Sequence, residues 1–106
     1  MNLKEHIENL TKITGVPPED IYKCGFNNHM EYDESGLLIY NTKNEINGKY
    51  LNLMFVSGMG EELWARILDL KDLLHCDGIY CVTKRPKGIE RKYGFKPMGT
   101  LMKWEG

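Results

Sequence analysis

Cysteine, histidine and long apolar runs are scarce in this chain of 106 residues, and their scarcity excludes several classes of protein. Cys24, Cys76 and Cys81 are an odd number without CxxC spacing, which favours reduced thiols in a cytosol-like compartment over a disulfide scaffold. The three histidines are too scattered to supply the ligands of a structural zinc site, so no metal is expected. No apolar run approaches the roughly 20 residues that span a bilayer, and the N-terminus lacks the apolar segment of a secretory signal. We therefore expect a cytoplasmic protein without a membrane partner.

Neither sign of charge dominates, since 14 Lys and Arg oppose 15 Asp and Glu. With 42% hydrophobic and 27% charged residues, the composition is that of one ordinary globular domain, which we expect to span residues 1–106. The densest basic stretch comprises Lys84, Arg85, Lys87, Arg91, Lys92 and Lys96. A dedicated duplex-DNA binder is usually basic overall and carries such a stretch on a recognisable motif. Nucleic acid is therefore not the expected partner, and the stretch is interpreted either as a solvated helix face or as a surface for an acidic or phosphate-bearing partner.

The N-terminal half is predicted to hold two helices and two strands. Apolar residues at helical spacing predict an amphipathic helix over residues 2–14, closed by Gly15. Two prolines followed by two acids suit the first turn of a short second helix that ends near Lys23. Residues 25–35 are polar and are predicted to be irregular. The turn signal Asn47-Gly48 joins the predicted strands, residues 37–40 and residues 50–56. Because the second strand is almost continuously apolar, we expect it to be covered on both faces.

The C-terminal half alternates strands with helices. After a tight turn at residues 57–60, apolar residues at helical spacing predict a helix that reaches Leu74 and is ended by Asp77-Gly78. Three further elements are predicted: a strand over residues 79–83, a helix over residues 86–93 and a strand over residues 96–104 with a bulge at Gly99. This order predicts an α/β fold in which a mixed central sheet has helices on its faces.

The segment Ile89-Glu90-Arg91-Lys92-Tyr93-Gly94-Phe95, followed by the last strand, resembles the LYEKLGF segment of the GNAT family of N-acetyltransferases. The order of strands and helices over residues 37–106 is similar to the core of that family. The resemblance implies a truncated GNAT-like fold, of the kind found in acyl-CoA N-acyltransferases. The sequence TKRPKGIERKYGFKPMGTLMKWE is also similar to short, divergent GNAT-like proteins of tailed bacteriophages.

In the GNAT family, acetyl-CoA lies where two parallel central strands splay apart, and its pyrophosphate binds backbone amides at the start of the following helix. The resemblance places the cofactor-binding groups of this chain at Phe55, Val56, Gly58, Met59 and Gly60. The family's turn is longer and begins with Gln or Arg, a position that falls here on Phe55. Glu61 and Glu62 put negative charge where a pyrophosphate needs donors. We therefore interpret residues 57–60 as a tight turn followed by acidic helix capping, and expect no cofactor unless the chain is an enzyme, in which case it is acetyl-CoA.

The catalytic candidates that the resemblance implies are Glu90, Tyr93 and Thr83. Glu90 stands where the family often places the tyrosine that protonates the leaving thiolate, yet a carboxyl with an ordinary pKa is ionised at neutral pH. Tyr93 stands at a position that the family usually fills with an apolar packing residue, so a core role is expected. Thr83 stands where the family often has Asn and either bonds the cofactor arm or caps the next helix.

Two functions stay open from the sequence. The first is a phage or mobile-element GNAT-like domain that has lost catalysis and binds a protein partner, as an inhibitor of a host or defence protein or as a phage accessory or structural protein. Its candidate surfaces are the acidic segment 19–34 and the basic residues Lys84, Arg85, Lys87, Arg91 and Lys92. A phage-encoded protein would act in the host cytoplasm.

The second function is a minimal acetyl-CoA-dependent N-acetyltransferase that acts on a lysine or a small amine. The oligomeric state stays open as well. An exposed edge at the last strand, LMKWEG, would allow a homodimer by strand addition.

Overall fold

A computed structural model describes residues 2–58, 60–82, 96–98 and 101–105. Its elements are α1 (Leu3–Thr14), α2 (Pro18–Asn27), β1 (His29–Tyr32), β2 (Leu37–Glu45), β3 (Gly48–Ser57), α3 (Glu61–Leu73), β4 (Gly78–Val82), β5 (Lys96–Met98) and β6 (Leu101–Trp104). The strands form one sheet in the order β1-β2-β3-β4-β6-β5. The β3–β4 pair is parallel, whereas the other neighbouring pairs of described strands are antiparallel. The predicted α/β class with a mixed sheet is thus confirmed, and the helix predicted over residues 86–93 lies outside the described residues.

Helix α1 begins and ends through the signals that the sequence carries. The Asn2 side chain accepts a hydrogen bond from the Glu5 amide at 2.9 Å, and the Glu5 carboxylate accepts one from the Asn2 amide at 3.3 Å. This reciprocal capping box satisfies two amides at the start of the helix. At the other end, Gly15 adopts the left-handed conformation with φ 77° and donates its amide to the Thr11 carbonyl.

The sheet buries apolar residues on both faces, because neighbouring residues of a strand point to opposite sides. The core on the α1 and α2 face is built from Ile7, Leu10, Ile21, Leu37 and Ile39. The core on the α3 face is built from Leu38, Tyr40, Leu51, Leu53, Leu63, Ile67, Leu70, Cys76, Ile79 and Cys81. In β3, Leu53 belongs to the α3 core and Phe55 packs against the other core. The prediction that this strand is covered on both faces is confirmed.

The prediction for residues 25–35 was wrong. Helix α2 continues to Asn27 instead of ending near Lys23, and residues 29–32 form β1. Strand β1 is short and polar because it lies at the edge of the sheet, where its pairing with β2 defines it as a strand. That pairing is a contact between segments and leaves no trace in local composition.

The end of α3 also differs from its prediction. The helix ends at Leu73, and His75 takes the left-handed conformation with φ 55°. Gly78 begins β4 instead of ending the helix, and a Cβ at this position would press against the Trp104 carbonyl and the Tyr50 ring. Glycine is therefore required there by the close approach of β6 and not by helix termination.

Residues 96–98 and 101–104 form two antiparallel strands instead of one bulged strand. Met98 lies opposite Leu101, and Gly99, the predicted bulge residue, lies outside the described residues. Strand β6 lies between β4 and β5, and both of its sides are therefore paired. The prediction that LMKWEG offers an exposed edge for dimerisation is therefore wrong. Pro97, which has no amide hydrogen to donate, lies on the edge strand β5.

Cys76 and Cys81 are buried in the α3 core, where they pack as small apolar residues. Burial raises the pKa of the Cys81 thiol to about 11, so it stays protonated at neutral pH. Burial also raises the pKa of Cys76. Within the described ranges, no helix is both long and apolar enough to cross a membrane.

Candidate ligand-binding site at the end of strand β3

The described pairing between the two parallel strands at the centre of the sheet ends before β3 itself ends. Pairing between β3 and β4 runs from Tyr50 opposite Gly78 to Leu53 opposite Cys81. Strand β3 then continues to Ser57, and its last residues pair with β2. Among the described residues, no strand pairs with the other side of this last segment.

A β-bulge at Met54 lies directly after Leu53, the last residue of β3 that pairs with β4. Ile39 of β2 lies opposite Phe55 and Tyr40 lies opposite Leu53, so Met54 has no residue opposite it in β2. One extra residue turns the following side chains to the other face of the sheet. Met54 and Phe55 consequently both pack against the α1 and α2 core, whereas Val56 packs against the α3 core.

The predicted cofactor residues Phe55 and Val56 thus use their side chains for packing on opposite faces. Only their backbone groups are left to bind a ligand at this end of β3. In the GNAT family, which this chain resembles, the position of Phe55 is usually Gln or Arg. Here that position is filled by an aromatic ring packed in the core beside α1 and α2.

The turn after β3 depends on Gly58. Its φ of 81° is left-handed, and a Cβ at this position would collide with the Ser35 carbonyl oxygen. Gly60 is the N-cap of α3, has open space around its Cα and donates its amide to the Gly58 carbonyl at 2.8 Å. Met59, between them, lies outside the described residues. Gly58 and Gly60 thus lie at the start of α3.

The start of α3 is negatively charged. Glu61 and Glu62 occupy its first turn and are exposed, where carboxylates interact favourably with the helix dipole. As far as the chain is described, no side chain caps this helix. Its first amides are left to solvent or a ligand, but an anion there would meet two carboxylates.

A buried polar cluster, which the sequence analysis missed, holds the end of β3 to α1. His6 and Ser57 each expose only 1% of their surface. The His6 Nδ1 atom lies 3.0 Å from the Ser57 hydroxyl oxygen, and its Nε2 atom lies 2.9 Å from the Asp33 carbonyl oxygen. The Asn9 side-chain amide donates to the same hydroxyl at 3.1 Å. We call these three side chains with the Asp33 carbonyl the clasp.

The loop between β1 and β2 is fixed by Asp33. Its carboxylate accepts hydrogen bonds from the Ser35 hydroxyl at 2.6 Å, from the Ser35 amide at 2.8 Å and from the Gly36 amide at 3.2 Å. The Ser35 hydroxyl, followed by the Ser35 amide, lowers the pKa of the Asp33 carboxyl below its ordinary value. The loop is therefore folded on an ionised carboxylate.

An acidic cleft of about 460 Å³ lies between this loop, strand β1 and helix α3. Among the described residues that line it, the charged ones are Glu31, Asp33, Glu62, Asp69 and Arg66. Arg66 donates to Glu31 at 2.6 Å, and this hydrogen bond raises the pKa of Arg66 further. The apolar residues of its lining include the buried Leu38 and Leu63 and the exposed Ala65. We call this surface the acidic cleft.

The acidic cleft agrees only in part with the predicted acidic segment 19–34. Glu31 and Asp33 line it, whereas Glu19 and Asp20 lie in the first turn of α2. Its other wall comes from α3, through Glu62 and Asp69. These two residues lie far from segment 19–34 in the chain, so composition could not group them with it.

The remaining predicted site residues lie outside the described residues. They are Thr83, Lys84, Arg85, Lys87, Glu90, Arg91, Lys92 and Tyr93. In the part of the chain that is described, no group of three or more His, Cys, Asp or Glu side chains is arranged to hold a metal ion.

Comparison with protein-family models, with curated proteins and with solved structures gives no match to this chain. Its function is therefore argued from its own residues.

Replacing Gly58 by Ala should destabilise the fold, because the new Cβ would enter both a left-handed conformation and the space of the Ser35 carbonyl. We expect the free energy of unfolding to fall by about 1–3 kcal/mol, measured by urea denaturation. Gly60→Ala is the matched control, since Gly60 has φ −90° and open space; its cost should stay below about 1 kcal/mol. Equal costs for the two variants would contradict this description of the turn.

Proposed function

We propose that this chain is a GNAT-like domain without acetyl transfer, which acts by binding a protein partner through a lysine- or arginine-rich segment. The observation that carries the proposal is the acidic cleft, which has carboxylates on two walls and apolar residues in its lining. If the chain is phage-encoded, as its resemblance suggests, the partner is a host or defence protein that it inhibits or another phage component.

The GNAT-like part of the proposal is supported by the order and direction of the strands. Antiparallel strands β1, β2 and β3 lead into the parallel β3–β4 pair, with α3 between its members, and an antiparallel β6 and β5 follow. The described pairing of β3 with β4 ends at Leu53, near the position at which the resembled family holds its cofactor.

The binding part of the proposal is supported by the chemistry of the acidic cleft. Glu31 is bonded to Arg66, so a cationic segment would meet Glu62 and Asp69 on the α3 wall. Lysine and arginine carry long apolar stems below their charge, which suit the apolar part of this lining at Ala65. Opposite charges across such a surface raise the association rate and select the partner.

The absence of acetyl transfer in this proposal rests on the start of α3. A CoA pyrophosphate bound at its amides would lie beside the carboxylates of Glu61 and Glu62, which are exposed in the first turn. Like charges at this spacing weaken binding instead of strengthening it. The Phe55 ring, packed in the core, offers no compensating cation.

A second candidate function, the minimal N-acetyltransferase, is favoured by one specific observation. The backbone of β3 beyond Leu53 would suit the pantetheine arm of acetyl-CoA, in the way the resemblance implies. The N-terminus of α3, which has no side-chain cap, would suit its pyrophosphate. A lysine or small amine would then attack the thioester directly, with positioning supplying much of the rate.

The double variant Glu62→Gln/Asp69→Asn should weaken binding of a fluorescent hexalysine peptide, measured by anisotropy. We expect a loss of about 3- to 10-fold at low salt, since exposed charge pairs each contribute up to about 1 kcal/mol. The variant Glu19→Gln/Asp20→Asn removes the same charge outside the acidic cleft and is the control. Equal weakening by both variants would mean that only net charge is sensed, against the proposal.

Isothermal titration with acetyl-CoA, with CoA as its control, should give no binding at millimolar ligand, because Glu61 and Glu62 oppose the pyrophosphate. Micromolar binding would instead favour the acetyltransferase. In that event Gly60→Glu, which adds a third carboxylate at the helix start, should abolish it.

A further inference from the structure

We propose that His6 is a positioning residue for the acidic cleft, which acts by tying the loop that carries Asp33 to the end of β3. This inference rests on the proposed binding function of the acidic cleft. It adds a residue from the opposite face of the sheet that contributes no charge to the walls of the acidic cleft.

The clasp joins three segments that are far apart in the chain. Helix α1 supplies His6 and Asn9, strand β3 supplies Ser57, and the loop after β1 supplies the Asp33 carbonyl. The hydrogen bonds measure 2.9–3.1 Å. A buried polar group that loses its partner costs more than the bond itself contributes, so the three segments are held in one arrangement.

The direction of each hydrogen bond follows from the groups involved. A carbonyl oxygen can only accept, so Nε2 of His6 carries the hydrogen that faces Asp33. In the neutral ring Nδ1 then accepts, and the Ser57 hydroxyl is its donor. The Asn9 amide donates to the same hydroxyl oxygen. One imidazole thus bridges a hydroxyl donor and a carbonyl acceptor through the two nitrogens of its ring.

This arrangement is not that of a serine nucleophile. A hydroxyl that donates to an imidazole nitrogen is the geometry of an activated serine. Ser57 and His6, however, are each 1% exposed, so a substrate has no access to the oxygen. The clasp therefore holds the backbone at Asp33 and at the end of β3 in place, and Ser57 does not act as a nucleophile.

The clasp positions one wall of the acidic cleft. Asp33, Ser35 and Gly36 all line that cleft, and the Asp33 carboxylate holds the amides of the other two. When His6 fixes the Asp33 carbonyl, it fixes this folded loop relative to α1 and the sheet. Ser35 in turn lies against Gly58, the residue that leads into the α3 wall. The distance between the two walls thus depends on the clasp.

Two substitutions at His6 separate its hydrogen bonds. In His6→Gln the side-chain nitrogen reaches the place of Nε2 and keeps the bond to Asp33. In His6→Asn the side-chain oxygen reaches the place of Nδ1 and keeps the bond to Ser57. Both variants lose one buried hydrogen bond, so a purely structural role predicts similar effects from both.

We expect His6→Asn to weaken hexalysine binding by about 3- to 10-fold and His6→Gln to stay within about twofold of the unsubstituted protein. Ile7→Val, at a buried neighbour in α1, is the control that lowers stability without touching the clasp. Its affinity should not change. Equal affinities for the two His6 variants would overturn the proposal.

A readout without ligand keeps this inference separate from the proposed function. In ¹⁵N-labelled protein, the amide signals of Ser35 and Gly36 should shift in His6→Asn and stay near their positions in His6→Gln. The His6 ring should show the tautomer with hydrogen on Nε2. If hexalysine fails to bind the unsubstituted protein, the proposed function fails while these signals still decide the inference. Unshifted amides in His6→Asn, or hydrogen on Nδ1, would refute it.

Discussion

One extra residue in the central strand β3 determines which segments the end of that strand contacts. Because Met54 has no residue opposite it in β2, the alternation of β3 changes phase between Leu53 and Phe55. Without that change, Ser57 would point towards α3 instead of α1. With it, the hydroxyl of Ser57 reaches His6, and the end of β3 is fixed to the first helix. The clasp, the loop that carries Asp33 and the turn into α3 all depend on this phase.

The end of β3 is consequently shared by two surfaces of different character. On one side its pairing with β4 ends at Leu53, and no strand of the described residues pairs with the backbone beyond it. On the other, Gly58 lies against Ser35, whose loop forms one wall of the acidic cleft. The exposed acids Glu61 and Glu62 follow directly and make the whole region negative. This charge is the physical reason for preferring a basic partner over a phosphate-bearing cofactor.

Much of the fold could be predicted from the sequence, because periodicity and turn residues report local structure. The apolar spacing of α1 with Gly15, the hairpin between β2 and β3 and the helix α3 were all found in this way. The hairpin loop lies one residue earlier than predicted, at Ile46 and Asn47, because Gly48 already pairs with Glu45. Strand β1 was missed because its polar residues form a strand only through pairing with β2. The pairing of β5 with β6 was missed because residues 96–104 were interpreted as one continuous strand.

The candidate site was harder to predict than the fold. The bulge at Met54 lies inside an almost continuously apolar strand, where alternation cannot reveal a change of phase. The bond between His6 and Ser57 joins residues 51 positions apart. A signal for His6 did exist, since it lies three residues after Leu3 and four before Leu10, on the apolar stripe of α1. A polar residue at such a position is buried and needs partners, although the sequence does not say which.

The most direct test of this account is to map hexalysine onto the ¹⁵N-labelled protein by amide shifts during a titration. The account predicts shifts that saturate together at residues 31–36 of the loop side and residues 62–69 of α3, the two walls of the acidic cleft. Shifts spread over the surface without saturation, or centred on Gly60 and the end of β3, would contradict it.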